Sequence, residues 1–382
     1  MRYFYVVFSV LFCLPLFMHS QTQDTLVDVG GYNMHFNIMK GEGTPVLFEA
    51  GAGNDGSIWD NILGKIHKVT GTTLITYDRS GFGKSELNPN LKDDTDFGIL
   101  NGIKELELGL SKLGYDDEII LVSHSYGGLY NMLFARNYPK KVKSVILIDA
   151  VLSDFWNEEL LTMRDMHVDI NTIPKPSGDY YMNFNFNETM RYVRNMQFPD
   201  SIPIINIFPE KSAPVYPEMY SNRWKKVHVE LGEKNDIIDN IIAVGSGHAV
   251  FQDNPALVIN AIIKAYSKTL DEGQQNMLLH KALDNAIELA IETKVSNRSE
   301  HDLNELGYSF VRNEELDKAL EVFKLTTILF PDSWNAYDSY GEALLKSNRK
   351  AEAIEMYRKS VELNQENEHG KKVLLQMQQE KE

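Results

Sequence analysis

Residues 119–128, which read IILVSHSYGG, decide the fold. The apolar run 119–122 predicts a buried β-strand, and the chain then passes through a serine among small residues into a helical stretch. A sharp turn from strand to helix exposes its central residue, and it needs small side chains two positions to either side. Ser123 and Gly127 meet this need when Ser125 is central, whereas a turn centred on Ser123 would bring Leu121 into close packing. Ser125 is therefore the predicted nucleophile.

Outward from this turn, short runs rich in Val and Ile alternate with helical stretches. Strands without strict alternation are buried on both faces, as in a parallel sheet covered by helices. Residues 25–270 are therefore predicted to form a doubly wound α/β domain with a mostly parallel sheet, and residues 28–39 an antiparallel edge hairpin. The predicted buried strands are Val46–Glu49, Thr73–Tyr77, Ile119–Val122, Val145–Ile148, Ile204–Phe208 and Ile241–Val244, with helices at Phe97–Leu113, Gly128–Asn137 and Pro255–Thr269.

One connection between predicted strands is much longer than the others. It spans about residues 150–202 and is rich in aromatic side chains. A long insertion in a compact domain often forms a lid over a functional site, so we predict a helical lid that contacts an apolar substrate. The alternative is that the aromatics only bury the insertion against the domain. They are Phe155, Trp156, Tyr180, Tyr181, Phe184, Phe186 and Tyr192.

A serine hydroxyl needs a general base to act as a nucleophile at neutral pH, and histidine is the usual choice. Of the ten histidines, His248 is distinctive because it follows a strand that ends in the flexible sequence Gly245-Ser246-Gly247. It also comes after Ser125 in the chain. His248 is the predicted base, while His35, His67, His124, His167 and His228 are interpreted as surface or packing residues.

Together these motifs resemble the α/β-hydrolase superfamily, in particular its lid-bearing, esterase-like branch, over about residues 30–270. The segment YDRSGFGKS at 77–85 resembles the loop that follows the next strand in that family, and we interpret it as structural. The resemblance implies an oxyanion hole formed by the backbone N–H groups of Ala52 and Tyr126. Haloalkane dehalogenases and epoxide hydrolases of this fold have a carboxylate where this chain has Ser125. The implied chemistry uses no metal and no cofactor.

The sequence departs from the family at the acid that should orient the base. The common position follows strand Ile204–Phe208, where this chain has Pro209-Glu210-Lys211-Ser212. Some members take the acid from the end of the preceding strand, which here is Asp149. Either origin can hold the imidazole in the correct tautomer. We favour Asp149. Glu210 is the alternative acid, and residues such as Asp236 and Asp239 rank after it.

The N-terminus has the layout of a secretory signal peptide over residues 1–20. Arg2 is followed by an apolar run to Phe17 and then by a small residue, Ser20, before polar sequence. The alternative is an uncleaved membrane anchor, but the run is short for a span of about 20 apolar residues. The only cysteine, Cys13, lies in this segment. We therefore predict export to the periplasm or the medium, with no disulfide and no membrane span in the mature chain.

Beyond residue 270 the strand signal stops. Residues 271–300 are predicted to be a helical linker, with one helix at 274–294, and residues 301–382 a small all-α repeat domain. A 34-residue spacing relates Gly307 to Gly341, Ala319 to Ala353, and Phe323 to Tyr357. A small residue, an alanine and an aromatic at these offsets resemble a tetratricopeptide repeat. The repeats could bind a protein or peptide, or only brace the other domain.

The predicted function is hydrolysis of an ester-like bond in a small, partly apolar substrate through an acyl-enzyme on Ser125. The net charge of −16 disfavours nucleic acid as a partner. One alternative is a different reaction on the same fold, carbon–carbon bond hydrolysis or cofactor-free peroxidation. A second is a non-enzymatic binding module that works through its repeats.

Overall fold

The computed structural model describes residues 22–210, 218–275, 277–278, 281 and 299–379. Eight strands form one sheet in the order β1-β2-β4-β3-β5-β6-β7-β8. The strands are β1 Thr22–Asp28, β2 Asn33–Met39, β3 Val46–Glu49, β4 Leu74–Tyr77, β5 Ile119–His124, β6 Val142–Ile148, β7 Ile204–Pro209 and β8 Ile238–Ala243.

The sheet is parallel from β4 through β3, β5, β6, β7 and β8, and antiparallel only at the edge made by β1 and β2. The predicted edge hairpin is present. It is longer than the sequence indicated, because β1 begins at Thr22, and exposed and half-buried side chains alternate along it. Gly30 and Gly31 form its turn with φ values of 119° and 93°, a region that favours glycine.

Helices cover both faces of the sheet. Successive residues of a strand point to opposite faces, so Leu121 packs into the core beneath α2, α3 and the insertion, and Val122 into the core beneath α1 and α9. Burial on both faces explains the unbroken apolar runs of the central strands. The helices are α1 Asp60–Thr70, α2 Ile99–Lys112, α3 Gly127–Asn137, α4 Glu158–His167, α5 Gly178–Phe184, α6 Phe186–Val193, α7 Glu218–Glu233, α8 Val250–Asp253 and α9 Pro255–Ser267.

The insertion at residues 150–202 contains α4, α5 and α6. It is attached to the short helical turn Asp94–Phe97, which precedes α2. The Lys175 ammonium binds the Asp94 carboxylate at 2.5 Å, and Tyr181 stacks on Phe97 with ring centres 3.8 Å apart. The aromatics predicted to form a lid differ in exposure: Phe155, Trp156, Tyr181 and Phe186 are buried, Tyr180 is half-buried, and Phe184 and Tyr192 are exposed.

The C-terminal region is helical, as predicted, and has a hydrophobic core of its own. A Cβ atom on Gly307 would lie 2.5 Å from the ring of Phe323, and one on Gly341 would lie 3.0 Å from the ring of Tyr357. The 34-residue spacing therefore pairs a glycine with an aromatic in both places. Its helices are Glu300–Arg312, Leu316–Leu329, Trp334–Lys346, Lys350–Leu363 and Glu368–Gln379.

Two predictions lie outside the described residues: the signal peptide at 1–20, with Cys13, and most of the helix at 274–294. Within the ranges that are described, no helix combines the length and apolar character that a bilayer span requires.

Candidate active site

The turn at Ser125 joins β5 to α3 and has the geometry that the sequence predicted. Ser125 has φ 51°, a left-handed backbone conformation that is strained for residues other than glycine. Its N–H donates to the carbonyl of Ile148 at 3.2 Å, and its carbonyl accepts from the N–H of Val151 at 2.8 Å. A Cβ atom on Gly127 would lie 2.7 Å from the carbonyl oxygen of Ala50, so only glycine fits there.

Asp149 follows β6 directly, at the carboxyl end of the strand next to β5. It also has a positive φ, 41°, and its side chain is completely buried. The Nδ1 of His248 donates to its Oδ2 at 2.5 Å. Because parallel strands end at the same edge of the sheet, Ser125 and Asp149 emerge on one edge, and the structure brings Asp149 and His248 together there.

His248 lies in the loop between β8 and α8, and its backbone is held from two sides. The N–H of Gly247 donates to the carboxylate of Asp253 at 2.8 Å. The Nε2 of His124 donates to the carbonyl of His248 at 3.0 Å, and the two rings lie 4.5 Å apart. This bond connects the His248 loop to the residue before Ser125. Since Nδ1 faces Asp149, Nε2 is the nitrogen that can take up a proton.

Two of the other acids considered from the sequence, Glu210 and Asp239, have different partners. The carboxylate of Glu210 accepts from the backbone N–H of Gly245 at 2.9 Å. Asp239 binds the ammonium of Lys264 at 2.7 Å. Of these three acids, only Asp149 has a hydrogen bond to His248 in the structure.

The glycine-rich loop after β3, residues 51–53, lies against the turn at Ser125. A Cβ atom on Gly51 would lie 3.3 Å from the Cβ of Ser125. The guanidinium of Arg79 donates to the carbonyl of Gly51 at 2.5 Å. In a trans peptide the N–H points away from the preceding carbonyl, so this bond also fixes the direction of the Ala52 N–H. The N–H of Tyr126 immediately precedes α3, where helix N–H groups lack internal acceptors.

Glu49 is completely buried beneath this loop. Burial raises its pKa to about 7, against the opposing effects of the Arg79 guanidinium and of the Tyr77 hydroxyl, which donates to it. Arg79 lies 3.5 Å from the Glu49 carboxylate and faces the rings of Phe82, Tyr126 and Tyr130 at 4.9–5.8 Å. A residue in the segment interpreted as structural thus supports the loop beside Ser125.

Two buried histidines adjoin the site. Burial and the neighbouring His248 lower the pKa of His124 to about 4, so that it is neutral at pH 7. Burial also lowers the pKa of His228, on α7, to about 4. The sequence predicts surface or packing positions for both, and both side chains are buried. A signal for His228 existed, since Trp224 and His228 are four positions apart and share one face of a helix.

A pocket lies beside Tyr126, between α2, the loop after β4 and α5. Its lining combines aromatic side chains, among them Phe97, Tyr126 and Tyr181, with polar ones, among them Arg79 and Glu105. Ser125 and His248 are not among its lining residues. In the described ranges, no three His, Cys, Asp or Glu side chains are grouped so that they could hold a metal ion.

Comparisons with known proteins agree with this architecture. Residues 44–169 match the family model of the alpha/beta hydrolase fold. Over 247 residues the chain is 24% identical to YqjL, an uncharacterized protein of Bacillus subtilis. This alignment covers 64% of this chain and 92% of YqjL. Over 204 residues the chain is 28% identical to a proline iminopeptidase of Lactobacillus delbrueckii subsp. lactis, and this alignment covers 51% of this chain. The chain spans 66% of that relative, just under two thirds of its length.

A crystal structure of an epoxide hydrolase from Vigna radiata is also similar. Its TM-score is 0.50 at 13% identity, and the superposition covers 65% of this chain and 98% of that one. At this identity the likeness shows the fold alone. The sheet, the turn at Ser125 and the match over residues 44–169 together define the alpha/beta hydrolase fold.

Proposed function

We propose that the chain is an exported serine hydrolase that cleaves an ester-like bond, with Ser125 as nucleophile, His248 as base and Asp149 as the acid. The observation that carries this proposal is the 2.5 Å bond between His248 and Asp149, at the sheet edge where Ser125 holds φ 51°. The chain order serine, aspartate, histidine is the order that this fold uses.

In the proposed reaction Ser125 attacks the carbonyl carbon while Nε2 of His248 takes the hydroxyl proton. Asp149 keeps the other ring nitrogen protonated and stabilises the imidazolium that forms. The N–H groups of Ala52 and Tyr126 would bind the tetrahedral oxyanion. His248 then protonates the leaving alcohol, and water releases the acid from Ser125 by the reverse sequence. The bond from Arg79 to the Gly51 carbonyl supports the assignment of Ala52, because it sets the direction of that N–H.

A small, partly apolar substrate suits the surroundings of the site. The ring of Tyr126, the residue after the nucleophile, stacks on Phe186 of the insertion and lines the pocket together with the rings of Phe97 and Tyr181. We therefore assign the insertion the role of a lid and the pocket that of holding an apolar arm of the substrate. Export is proposed from the signal-like residues 1–20, and it fits a remaining chain without cysteine.

The test is hydrolysis of p-nitrophenyl esters from acetate to palmitate by the mature protein. Ser125→Ala is expected to abolish turnover. Ser123→Ala is the matched control, since this buried serine lies two positions away and its hydroxyl has no hydrogen-bond partner among the described residues. The control should keep wild-type turnover. Turnover that survives in Ser125→Ala would contradict the proposal.

A second candidate function is release of an N-terminal residue from a peptide. The similarity to the iminopeptidase suggests this function. One observation favours it: the carboxylate of Asp179, on α5, lies 3.8 Å from where a Cβ atom on Gly53 would be. A carboxylate beside the oxyanion loop would attract a protonated amine. Proline p-nitroanilide and its N-acetyl derivative separate the two candidates. A preference for the free amine that Asp179→Asn removes would support the peptidase, and equal rates would exclude this role for Asp179.

A further inference from the structure

The acid Asp149 is buried, and no lysine or arginine of the described residues forms an ion pair with it. Its side chain is 0% exposed, and its ion-pair contacts in the described ranges are to His228 and His248. A buried carboxylate that stays ionised must be stabilised by hydrogen bonds when no fixed positive charge is near. One oxygen, Oδ2, receives the Nδ1–H of His248.

The other oxygen has its own donor. The indole Nε1 of Trp224 donates to Oδ1 at 2.6 Å, a short distance typical of a bond to a charged acceptor. Trp224 is itself fixed, because its ring packs edge-to-face on Phe155 with centres 4.8 Å apart. The two donors therefore hold the carboxylate from opposite ends and prevent it from rotating about its Cβ–Cγ bond.

His228 lies one helical turn further along α7 and is arranged so that it does not compete. Its Nδ1 is 3.0 Å from Oδ1 of Asn206, whose amide nitrogen donates elsewhere, to the His228 carbonyl. The proton of the neutral ring is accordingly on Nδ1. Its Nε2 then presents a lone pair to Asp149, 3.8 Å away. Of the two polar rings of α7 beside Asp149, only Trp224 donates a hydrogen bond to it.

We infer that Trp224 is a positioning residue for catalysis: its indole N–H orients Asp149 so that Oδ2 faces His248. This inference rests on the proposed function, since it assigns Trp224 a role through Asp149 and His248. In this chain, the helix after β7 supplies the hydrogen-bond donor to the acid, while the acid itself comes from the end of β6. Trp224 touches no reacting atom.

The test is the pH dependence of the rate at which a fluorophosphonate labels Ser125 in the full-length mature protein. The titratable groups facing the pair are His124 and His228, and burial holds the pKa of each to about 4, below the range of the profile. Without the indole N–H, the Asp149 charge interacts more strongly with the imidazolium. Trp224→Phe should lower the plateau rate roughly tenfold and move the midpoint up by about half a pH unit.

Trp59→Phe is the matched control, because Trp59 is also a buried tryptophan packed on aromatic rings, those of Phe48 and Phe251, and its indole N–H has no hydrogen-bond partner among the described residues. It should leave the plateau and the midpoint unchanged. A Trp224→Phe profile identical to that of the wild type would overturn the inference while leaving the proposed function standing. Absence of labelling in the wild type would instead refute the proposed function.

A second measurement does not depend on the folding of Trp224→Phe. The indole N–H resonance of Trp224 can be assigned among the four tryptophans and followed by NMR when Asp149 is replaced by Asn. Loss of the charged acceptor should shift this resonance far more than that of Trp59. An unchanged Trp224 resonance would overturn the inference whether or not the protein is a hydrolase.

Discussion

At the scale of single residues, Ser125 and Asp149 share an unusual feature. Both hold a left-handed backbone at the carboxyl ends of the neighbouring strands β5 and β6, with φ values of 51° and 41°. A side chain in this region costs about 1–2 kcal/mol. Such strain persists where the surrounding structure fixes it, and it is concentrated at functional sites. The surrounding packing, above all at Gly127, holds the turn in this form.

The close packing at Gly127 is testable. Gly127→Ala would place a Cβ 2.7 Å from both the Ala50 carbonyl and the Glu49 side chain. We expect a loss of about 1–3 kcal/mol in the free energy of unfolding, measured in urea. Gly64→Ala is the control, because this glycine in α1 has nothing within 4 Å. It should stabilise by about 0.5–1 kcal/mol. Equal effects at both glycines would refute the packing argument.

The buried His228 predicts how stability depends on pH. The unfolded chain binds a proton at this residue near pH 6.5, and the folded chain only near pH 4 because burial lowers the pKa. The free energy of unfolding is therefore highest above pH 6.5 and falls as the pH decreases toward 4. His228 alone accounts for a decrease on the order of 3 kcal/mol. Urea unfolding of His228→Gln between pH 4 and 7 should show a flatter dependence. An equally steep loss in the variant would show that His228 is not the origin.

At the scale of elements, the insertion is attached through Tyr181 and not through its exposed aromatics. Tyr181 stacks on Phe97, lines the pocket beside Tyr126 and is buried, whereas Tyr192 is 48% exposed. Tyr181→Ala should raise KM for long p-nitrophenyl esters several-fold more than KM for the acetate, because only long acyl arms need the pocket. Tyr192→Ala should leave both KM values unchanged. Equal effects of the two variants would argue against a substrate-binding role for this pocket.

The elements also show how far the sequence could be interpreted. Buried strands were predictable because their apolar runs are local, and so was Ser125, because its turn is encoded in adjacent small residues. The bonds from Asp149 to Trp224 and His248 were not, because they join residues 75 and 99 positions apart. From the sequence alone, Asp149 could be favoured over Glu210 as the acid, but the choice could not be settled. Nor could the sequence show that Trp224 on α7 donates to Asp149.

At the scale of the whole molecule, the C-terminal helices form a core separate from the two cores of the hydrolase sheet. Phe323 is completely buried at the centre of that third core. Phe323→Ala should cost about 3–5 kcal/mol there. In calorimetry we expect it to lower one of two thermal transitions, with labelling of Ser125 unchanged. A single transition that moves as a whole would show that the helical region and the sheet unfold as one unit.

The central claim is that Ser125 is a nucleophile activated by His248. The most direct measurement is labelling of the full-length mature protein with a fluorophosphonate, with the modified residue located by mass spectrometry. The account predicts one adduct, on Ser125, which is abolished in Ser125→Ala, greatly slowed in His248→Ala and unaffected in Ser123→Ala. No adduct on Ser125 in folded wild-type protein would contradict the account and favour a binding role for this domain.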